Sequence, residues 1–403
     1  MKYMELIAPC HFGMEAVLKR EILDLGYEIS KVEDGKVTFL ADAEGIAQAN
    51  MFLRTTERIL LKTGEFKAVT FDELFEKTKA IPWEEYIPKD GKFWVAKANS
   101  VKSALFSPSD IQSIMKKAIV ERLKSVYGIS WFQEDGASFP IRVAFMKDVA
   151  TIGIDTSGVS LHKRGYRQMT VKAPITETLA SALIMLTPWN KDRILVDPFC
   201  GSGTFPIEAA MIAADMAPGM NRSFLAEDWK HLVPRKCWYD AMDEAHEMVD
   251  DTVSVDIQGY DIDGSVIKIA RRNAREAGVD HLIQRYTKIQ MSKAVILQAA
   301  AAAMLEDYCD EVNEQIRRDY ESRGLYLRPR FSPGYGDFPL SCQPQLLGCL
   351  EAGKRIGITL TDSYLMAPSK SVTAVIGVSP LSRTCTVKGC EACGKTDCTY
   401  RRG

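Results

Sequence analysis

The sequence predicts a multidomain protein of mixed α/β and α+β class, and three observations lead there. Residues 194–210 run as a short β-branched stretch, a glycine-rich turn and the start of a helix, the pattern of a parallel-sheet unit that receives a ligand. Up to about residue 155, short apolar runs alternate with amphipathic helical segments. Beyond residue 284 the chain changes character, passing into a long helical pattern, a Pro-Gly turn and a cysteine-rich end. With 403 residues the chain can hold roughly two to four compact units, since single cores stop growing at a few hundred residues.

Apolar residues make up 46% of the chain and charged residues 26%, the balance of an ordinary globular protein. The formal net charge is -2, so a nucleic acid could be held only through a local basic face. The longest apolar stretch, residues 294–305, contains Gln298 and falls short of the roughly 20 residues that span a bilayer. No cleavable leader pattern opens the chain, so a cytoplasmic protein with no membrane partner is expected. Ten cysteines in that compartment read as thiols or metal ligands rather than disulfides.

In the front part, residues 4–8 and 36–40 are strand-like, and residues 13–25 helical. The clearest helix is predicted over 110–127, with Ile111, Ile114, Met115, Ala118, Ile119 and Val126 on one face and Gly128 as its stop. Lys116, Lys117, Arg122 and Lys124 lie off that face, either to meet phosphates or as a solvated surface. This arrangement resembles the N-terminal ferredoxin-like and THUMP module of bacterial ribosomal RNA methyltransferases. The resemblance continues into the basic linker Leu161-His-Lys-Arg-Gly-Tyr-Arg167 and into residues 173–180, which start the helix over the cofactor. It implies ribosomal RNA as partner, with Lys116, Lys117, His162, Lys163, Arg164 and Arg167 as candidate contacts.

The run Asp197-Pro-Phe-Cys-Gly-Ser-Gly-Thr204 closes a strand and opens a helix that carries Pro206 in its first turn. Its glycines let backbone approach a ligand, and free N–H groups at the helix start favour a carboxylate or phosphate. A dinucleotide fingerprint would need a glycine where Pro206 stands and an acid about 20 residues on. The next strand, residues 255–260, delivers its acids Asp261 and Asp263 only some 58 residues after Gly203, which disfavours it. The run is similar to the first S-adenosylmethionine (SAM) motif of class I methyltransferases, and Gly259-Tyr-Asp-Ile-Asp263 to the second. The resemblance implies Asp197, Pro198, Gly201, Ser202, Gly203, Thr204, Asp261 and Asp263 as cofactor-binding residues, in a partial Rossmann-like domain. Cys200 is expected to be a small loop residue, since its neighbours include no general base.

The match is to the 23S ribosomal RNA guanine-N2 methyltransferase-like family, and it holds to Gln284. The family's third-strand Asp for the adenine amine, and the Asn-Pro-Pro-Tyr that positions the target nitrogen, do not follow. No catalytic residue can therefore be assigned, and three of about seven strands would leave apolar edges open.

Residues 285–403 resemble the activation domain of cobalamin-dependent methionine synthase, most of all in Arg330-Phe-Ser-Pro-Gly-Tyr335. This implies a second SAM site at Arg330, Gly334 and Tyr335, and a cobalamin-binding methionine synthase as partner. The family match through residues 363–377 adds a loop and a buried strand. Cys385, Cys390, Cys393 and Cys398, spaced C-x4-C-x2-C-x4-C, could hold zinc or an iron-sulfur cluster, or remain reduced thiols.

The expected domains are thus a ferredoxin-like domain over 1–57, a THUMP domain over 58–160, a partial methyltransferase domain over 161–284 and an activation-like α+β domain over 285–403. Three functions stay open: an RNA guanine-N2 methyltransferase, a reactivation module for a cobalamin protein, and an inactive fusion that binds RNA and SAM.

Overall fold

The computed structural model describes residues 3–167, 169, 174–288, 291–335, 338–367 and 371–381. The chain divides into two compact units, Met1–Ile289 and Gln290–Gly403.

The first unit begins with β1 (Met4–Pro9), α1 (Glu15–Asp24), β2 (Glu28–Glu33), β3 (Lys36–Ala41), α2 (Ala43–Phe52) and β4 (Leu60–Lys67). It continues with α3 (Phe71–Ala80), β5 (Lys92–Val101), α4 (Pro108–Tyr127), β6 (Ser138–Met146) and β7 (Val149–Asp155). All seven strands join one sheet in the order β2-β3-β1-β4-β7-β6-β5. β4 makes it continuous: Leu61 stands opposite Leu6 of β1 on one side and Ile154 of β7 on the other. Alternation puts Ile141, Val143 and Phe145 of β6, with Ile152 and Ile154 of β7, into the core.

α4 starts at Pro108, ends at Gly128 with φ 62°, and buries Ile111, Met115, Ala118 and Ile119. Its apolar stripe is shorter than the periodicity predicts. Val126 is exposed and Ile114 only partly buried, so the buried stripe ends at Leu123.

Next come α5 (Glu177–Leu186), β8 (Leu195–Asp197), α6 (Thr204–Ala213), α7 (Arg235–Met248), β9 (Ile257–Asp261), α8 (Gly264–Glu276) and β10 (Ile283–Lys288). The strands form a parallel sheet, β10-β9-β8, with α6, α8 and β10 contributing to a second core. β10 spans the change in sequence character at Gln284, so residues on both sides of it build one strand.

The segment between α6 and β9 docks on the front sheet. The N–H of Gly219 donates to the Met51 carbonyl at 2.9 Å, and a Cβ on Gly219 would stand 2.7 Å from Met51 Cα, so only glycine fits. Trp229 stacks on Phe139 with ring centres 4.9 Å apart, and Phe224 on Trp238 at 5.3 Å.

The second unit holds the predicted long helix, α9 (Met291–Glu321), then β11 (Tyr326–Leu327), α10 (Gln343–Cys349), β12 (Thr359–Leu360), β13 (Met366–Ala367) and β14 (Val378–Ser379). Among its described residues Leu347 and Ala352 are the buried apolar ones, while Ile296, Met304 and Tyr308 are exposed. The buried strand expected before Gly377 is not formed by the described residues there. Val375 makes an isolated bridge to Phe331 and is 46% exposed. No helix among the described residues is long and apolar enough to cross a membrane.

Within the first unit, Glu57 clasps three segments together. It accepts from Ser160 Oγ at 2.8 Å, from His162 Nδ1 at 2.9 Å and from the Thr178 hydroxyl, and pairs with His11 Nε2 at 3.5 Å. Burial works against its charge, yet the bonds from His11, His162, Thr178 and Ser160 outweigh that and hold the carboxyl well below the usual carboxylate range. A depressed carboxylate stabilises the fold fully above its free value of 4.5 and progressively loses that contribution as pH falls below it. Glu57→Gln should therefore cost about 2 to 3 kcal/mol at neutral pH, by the usual worth of charged hydrogen bonds. Denaturant titrations across pH check this: the gap to wild type should narrow below pH 4.5, and a constant gap would contradict the clasp.

Candidate functional site

The predicted cofactor loop lies at the carboxyl end of the parallel strands, where ligands bind in open α/β sheets. Gly201 and Gly203 have φ of 51° and 85°, a conformation glycine adopts without strain. A Cβ on Gly203 would stand 2.6 Å from Tyr286 Oη, and one on Gly259 2.6 Å from the Tyr286 ring. Tyr286, 5% exposed, is thus the floor of the loop. It was missed because it lies past Gln284, in the part assigned to the other family. Gly259 inside a strand was the available signal, since such a glycine often marks close approach by a neighbour.

The loop is braced from β9 and α8. Asp261 Oδ2 accepts from the Gly201 N–H at 3.1 Å and its Oδ1 from the Asp263 N–H at 2.9 Å. Asp263 in turn caps α8 through the Ser265 N–H at 2.8 Å. Asn273 Nδ2 donates to the Ser202 carbonyl at 3.1 Å, and the Cys200 N–H to that of Tyr260 at 2.8 Å. Asp197 accepts from the Phe199 N–H at 3.0 Å, while Pro198 separates the two. Thr204 opens α6 and receives Arg167 Nη2 on its hydroxyl at 2.6 Å.

Burial, reinforced by the charge of Asp261, pushes the Asp197 carboxyl up to about 6. Burial and the charges of Asp197 and Asp261 raise the Cys200 thiol, which makes it a poor nucleophile. A Cβ built on Gly201 meets nothing within 4 Å, so the loop is open to a ligand on that side. Exposed backbone, a helix start and an oriented carboxylate on the next strand suit a molecule carrying an amino-acid end and a diol.

The candidate RNA residues separate. Arg164 is 2% exposed; its guanidinium donates to the carbonyls of Leu161 and Arg54 and pairs with the buried Glu208 at 3.8 Å. It is an internal strut and no phosphate contact. Arg167 also turns inward, to Thr204, the Ile175 carbonyl and Glu177. His162 is held by Glu57, and Lys116 lies 3.9 Å over the Phe93 ring while pairing with Glu134. Lys117, near the Phe75 ring, and Lys163 remain exposed. A basic face that sequence reasoning passed over lies on α8. Lys268, Arg271, Arg272 and Arg275 recur at helical spacing on its exposed side, directly after the loop-bracing acids.

In the second unit, Arg330 Nη2 pairs with Glu306 at 2.5 Å and Asp310 at 3.4 Å on α9. Its Nη1 is buried without a hydrogen-bond partner, beside a cavity of about 200 Å³ that Tyr308, Asn313 and Ile376 help to line. Gly334 has φ 96° in the turn, and Tyr335 is 68% exposed. Cys385, Cys390, Cys393 and Cys398 lie outside the described residues. Among the described residues no group of three His, Cys, Asp or Glu could hold a metal.

Four family models match the chain: an RlmL ferredoxin-like domain over 5–60, a THUMP domain over 68–155, an RMKL-like methyltransferase domain over 164–297, and the activation domain of vitamin B12 dependent methionine synthase over 272–403. The last two overlap around β10. A curated relative, "Putative RNA methyltransferase YpsC" of Bacillus subtilis (strain 168), is 50% identical over 286 residues, 70% of this chain and 74% of its own. Ribosomal RNA large subunit methyltransferase K/L of Buchnera aphidicola subsp. Acyrthosiphon pisum (strain APS) is 32% identical over 70% of this chain, which spans 41% of that larger protein. The crystal structure of SMU.472 complexed with SAH matches with a TM-score of 0.67 and 44% identity, over 71% of this chain and 75% of the other. The chain belongs, through its first unit, to the family of THUMP-bearing RNA methyltransferases, and carries in addition a region of the methionine-synthase activation type.

Proposed function

We propose that the first unit binds S-adenosylmethionine at the loop of Asp197–Thr204 and RNA at its basic surface, as a ribosomal RNA guanine-N2 methyltransferase unit that does not turn over by itself. The observation that supports this reading is the bracing of Gly201 by Asp261, which holds a carboxylate suited to a ribose diol beside an open, glycine-lined approach. Pro198, Ser202 and Thr204 shape the turn, and Asp263 fixes the start of α8. The amino-acid end of the cofactor lies against the N-terminus of α6. Methyl transfer needs a group that aims the target nitrogen at the methyl, and positioning of that kind accounts for several kcal/mol of barrier. The three described strands of this sheet bring no Asn-Pro-Pro-Tyr to the loop.

The second reading, that the second unit presents S-adenosylmethionine to a cobalamin-dependent methionine synthase, is supported by the unpartnered Arg330 Nη1 beside its cavity. Glu306 and Asp310 already engage that guanidinium, so a cofactor carboxylate would have to displace them. Cysteine-bound zinc or iron at Cys385, Cys390, Cys393 and Cys398 is a separate proposal that rests on spacing.

Four measurements test these proposals. Calorimetry should find a SAM site weakened about ten- to a hundredfold by Asp261→Ala, the loss of one charged hydrogen bond, and unchanged by Arg330→Ala. The reverse pattern would move the cofactor to the second unit. Radiolabelled transfer to unmodified ribosomal RNA should stay at background, and clear turnover would refute the inactive-alone reading. Binding of structured RNA should weaken steeply with salt, as phosphate contacts release counterions, and Lys268→Ala with Arg272→Ala should flatten the slope by about two. An unchanged slope would remove α8 from the interface. Elemental analysis of anaerobically purified protein should give stoichiometric zinc or iron, lost in Cys390→Ser. Metal-free wild-type protein would dismiss that site.

A further inference from the structure

A sheet with helices on one side leaves its other face to water, and alternation ordinarily makes that face polar. The half of the front sheet formed by β4, β7, β6 and β5 departs from this. Its inward residues, such as Phe93 of β5 and Phe145 of β6, join the core with the apolar sides of α3 and α4. On the opposite face Val101 of β5, Met146 of β6, Val149 of β7 and Lys67 of β4 stand in one row across the four strands. The next row has Ala144 and Thr151 at its centre, small side chains that keep the surface flat. Along β5 the face reads Lys92, Trp94 and Lys97, because a bulge between Val95 and Lys97 keeps the tryptophan and the second lysine on the same side. Trp94, Val101 and Met146 are 38%, 45% and 51% exposed. The acids nearby are already engaged, Glu65 with Lys31 and Lys62, and Asp155 with Arg58 and Arg142. Lys67, Lys92 and Lys97 are exposed and pair with neither of them.

We propose that this open sheet face binds unpaired RNA, with a base stacked on Trp94 and the backbone phosphates following Lys92, Lys97 and Lys67. Flat apolar surface interleaved with unneutralised cations suits a polyanion whose bases are free to stack, and a duplex hides those base faces. From Trp94 to Val101 the face runs about 20 Å, long enough for several extended nucleotides. A second copy of this chain is a poorer occupant, since it would set the same lysines against each other. The proposal rests on the reading that the first unit binds RNA, and adds the form of the RNA and its place.

Fluorescence anisotropy of the full chain with a labelled, unstructured RNA oligonucleotide and with a blunt-ended RNA hairpin tests it. Trp94→Ala should weaken the oligonucleotide about tenfold or more, the loss of one stacked base, and leave the hairpin unchanged. Trp94→Phe, which keeps a ring, should recover most of the affinity, and Lys97→Ala should flatten the salt slope by about 0.7. If Trp94→Ala fails to fold, photocrosslinking of the wild-type chain to an oligonucleotide carrying 4-thiouridine replaces it, with adducts expected in residues 92–101. Oligonucleotide binding indifferent to Trp94→Ala, or crosslinks confined to other segments, overturns the proposal and leaves RNA binding by the first unit standing. Failure of both RNAs to bind removes that reading as well. An oligomer of the chain that Trp94→Ala dissociates, with RNA binding unchanged, would make the face a protein interface and equally overturn the proposal.

Discussion

The buried pair of Arg164 and Glu208 is the constraint on which the arrangement of the first unit depends. Glu208 stands on α6, the helix that the cofactor loop opens, and also accepts from Tyr166 at 2.8 Å and Ser181 at 2.6 Å. Arg164 reaches from the linker to the carbonyl of Arg54, just past α2. Removing one member would strand the other's charge in the core, which makes such pairs strongly position-specific. The Glu57 clasp lies along the same linker, so the front sheet and the loop-bearing helix are held in register by charge as well as by apolar packing.

A rigid junction has a consequence for chemistry. A methyl acceptor held by the front module reaches the cofactor only if the two parts keep a fixed separation, and misplacement by an ångström is costly in rate. The linker's basic residues, which from sequence suggest an RNA contact, supply that fixed separation in the case of Arg164 and Arg167. The cationic surface is carried instead by side chains such as those of α8, whose buried side packs Ile267, Ala270 and Ala274 beside the loop. The helix thus braces the loop with one face and offers charge with the other.

The second unit differs physically. Its described residues bury few apolar side chains, and its strands are two residues long. Short, open elements of this kind are usually stabilised by further packing. Arg330 is held by two acids from α9, so the turn that carries Gly334 is anchored to the helix by ion pairs with exposed carboxylates, which contribute little each.

The sequence by itself determined the local parts. The loop glycines, the start of α6, the stop at Gly128 and the long helix α9 follow from backbone sterics and periodicity, which act over a few residues. The glycine-rich loop and its brace were legible for the same reason, since Asp197, Gly201, Gly203 and Asp261 belong to one short strand-loop-helix unit and the strand after it. Tertiary structure alone decided which cations face water. Arg164 and Lys163 are neighbours with the same charge, and the Leu161 and Arg54 carbonyls together with Glu208, far along the chain, turn one inward. It also decided that β4 would merge two expected domains into one sheet, and that Tyr286, beyond the apparent join, would form the floor of the loop. Pairing between distant strands and contact between distant side chains leave no local period in the sequence, because neither is set by the chain's own repeat.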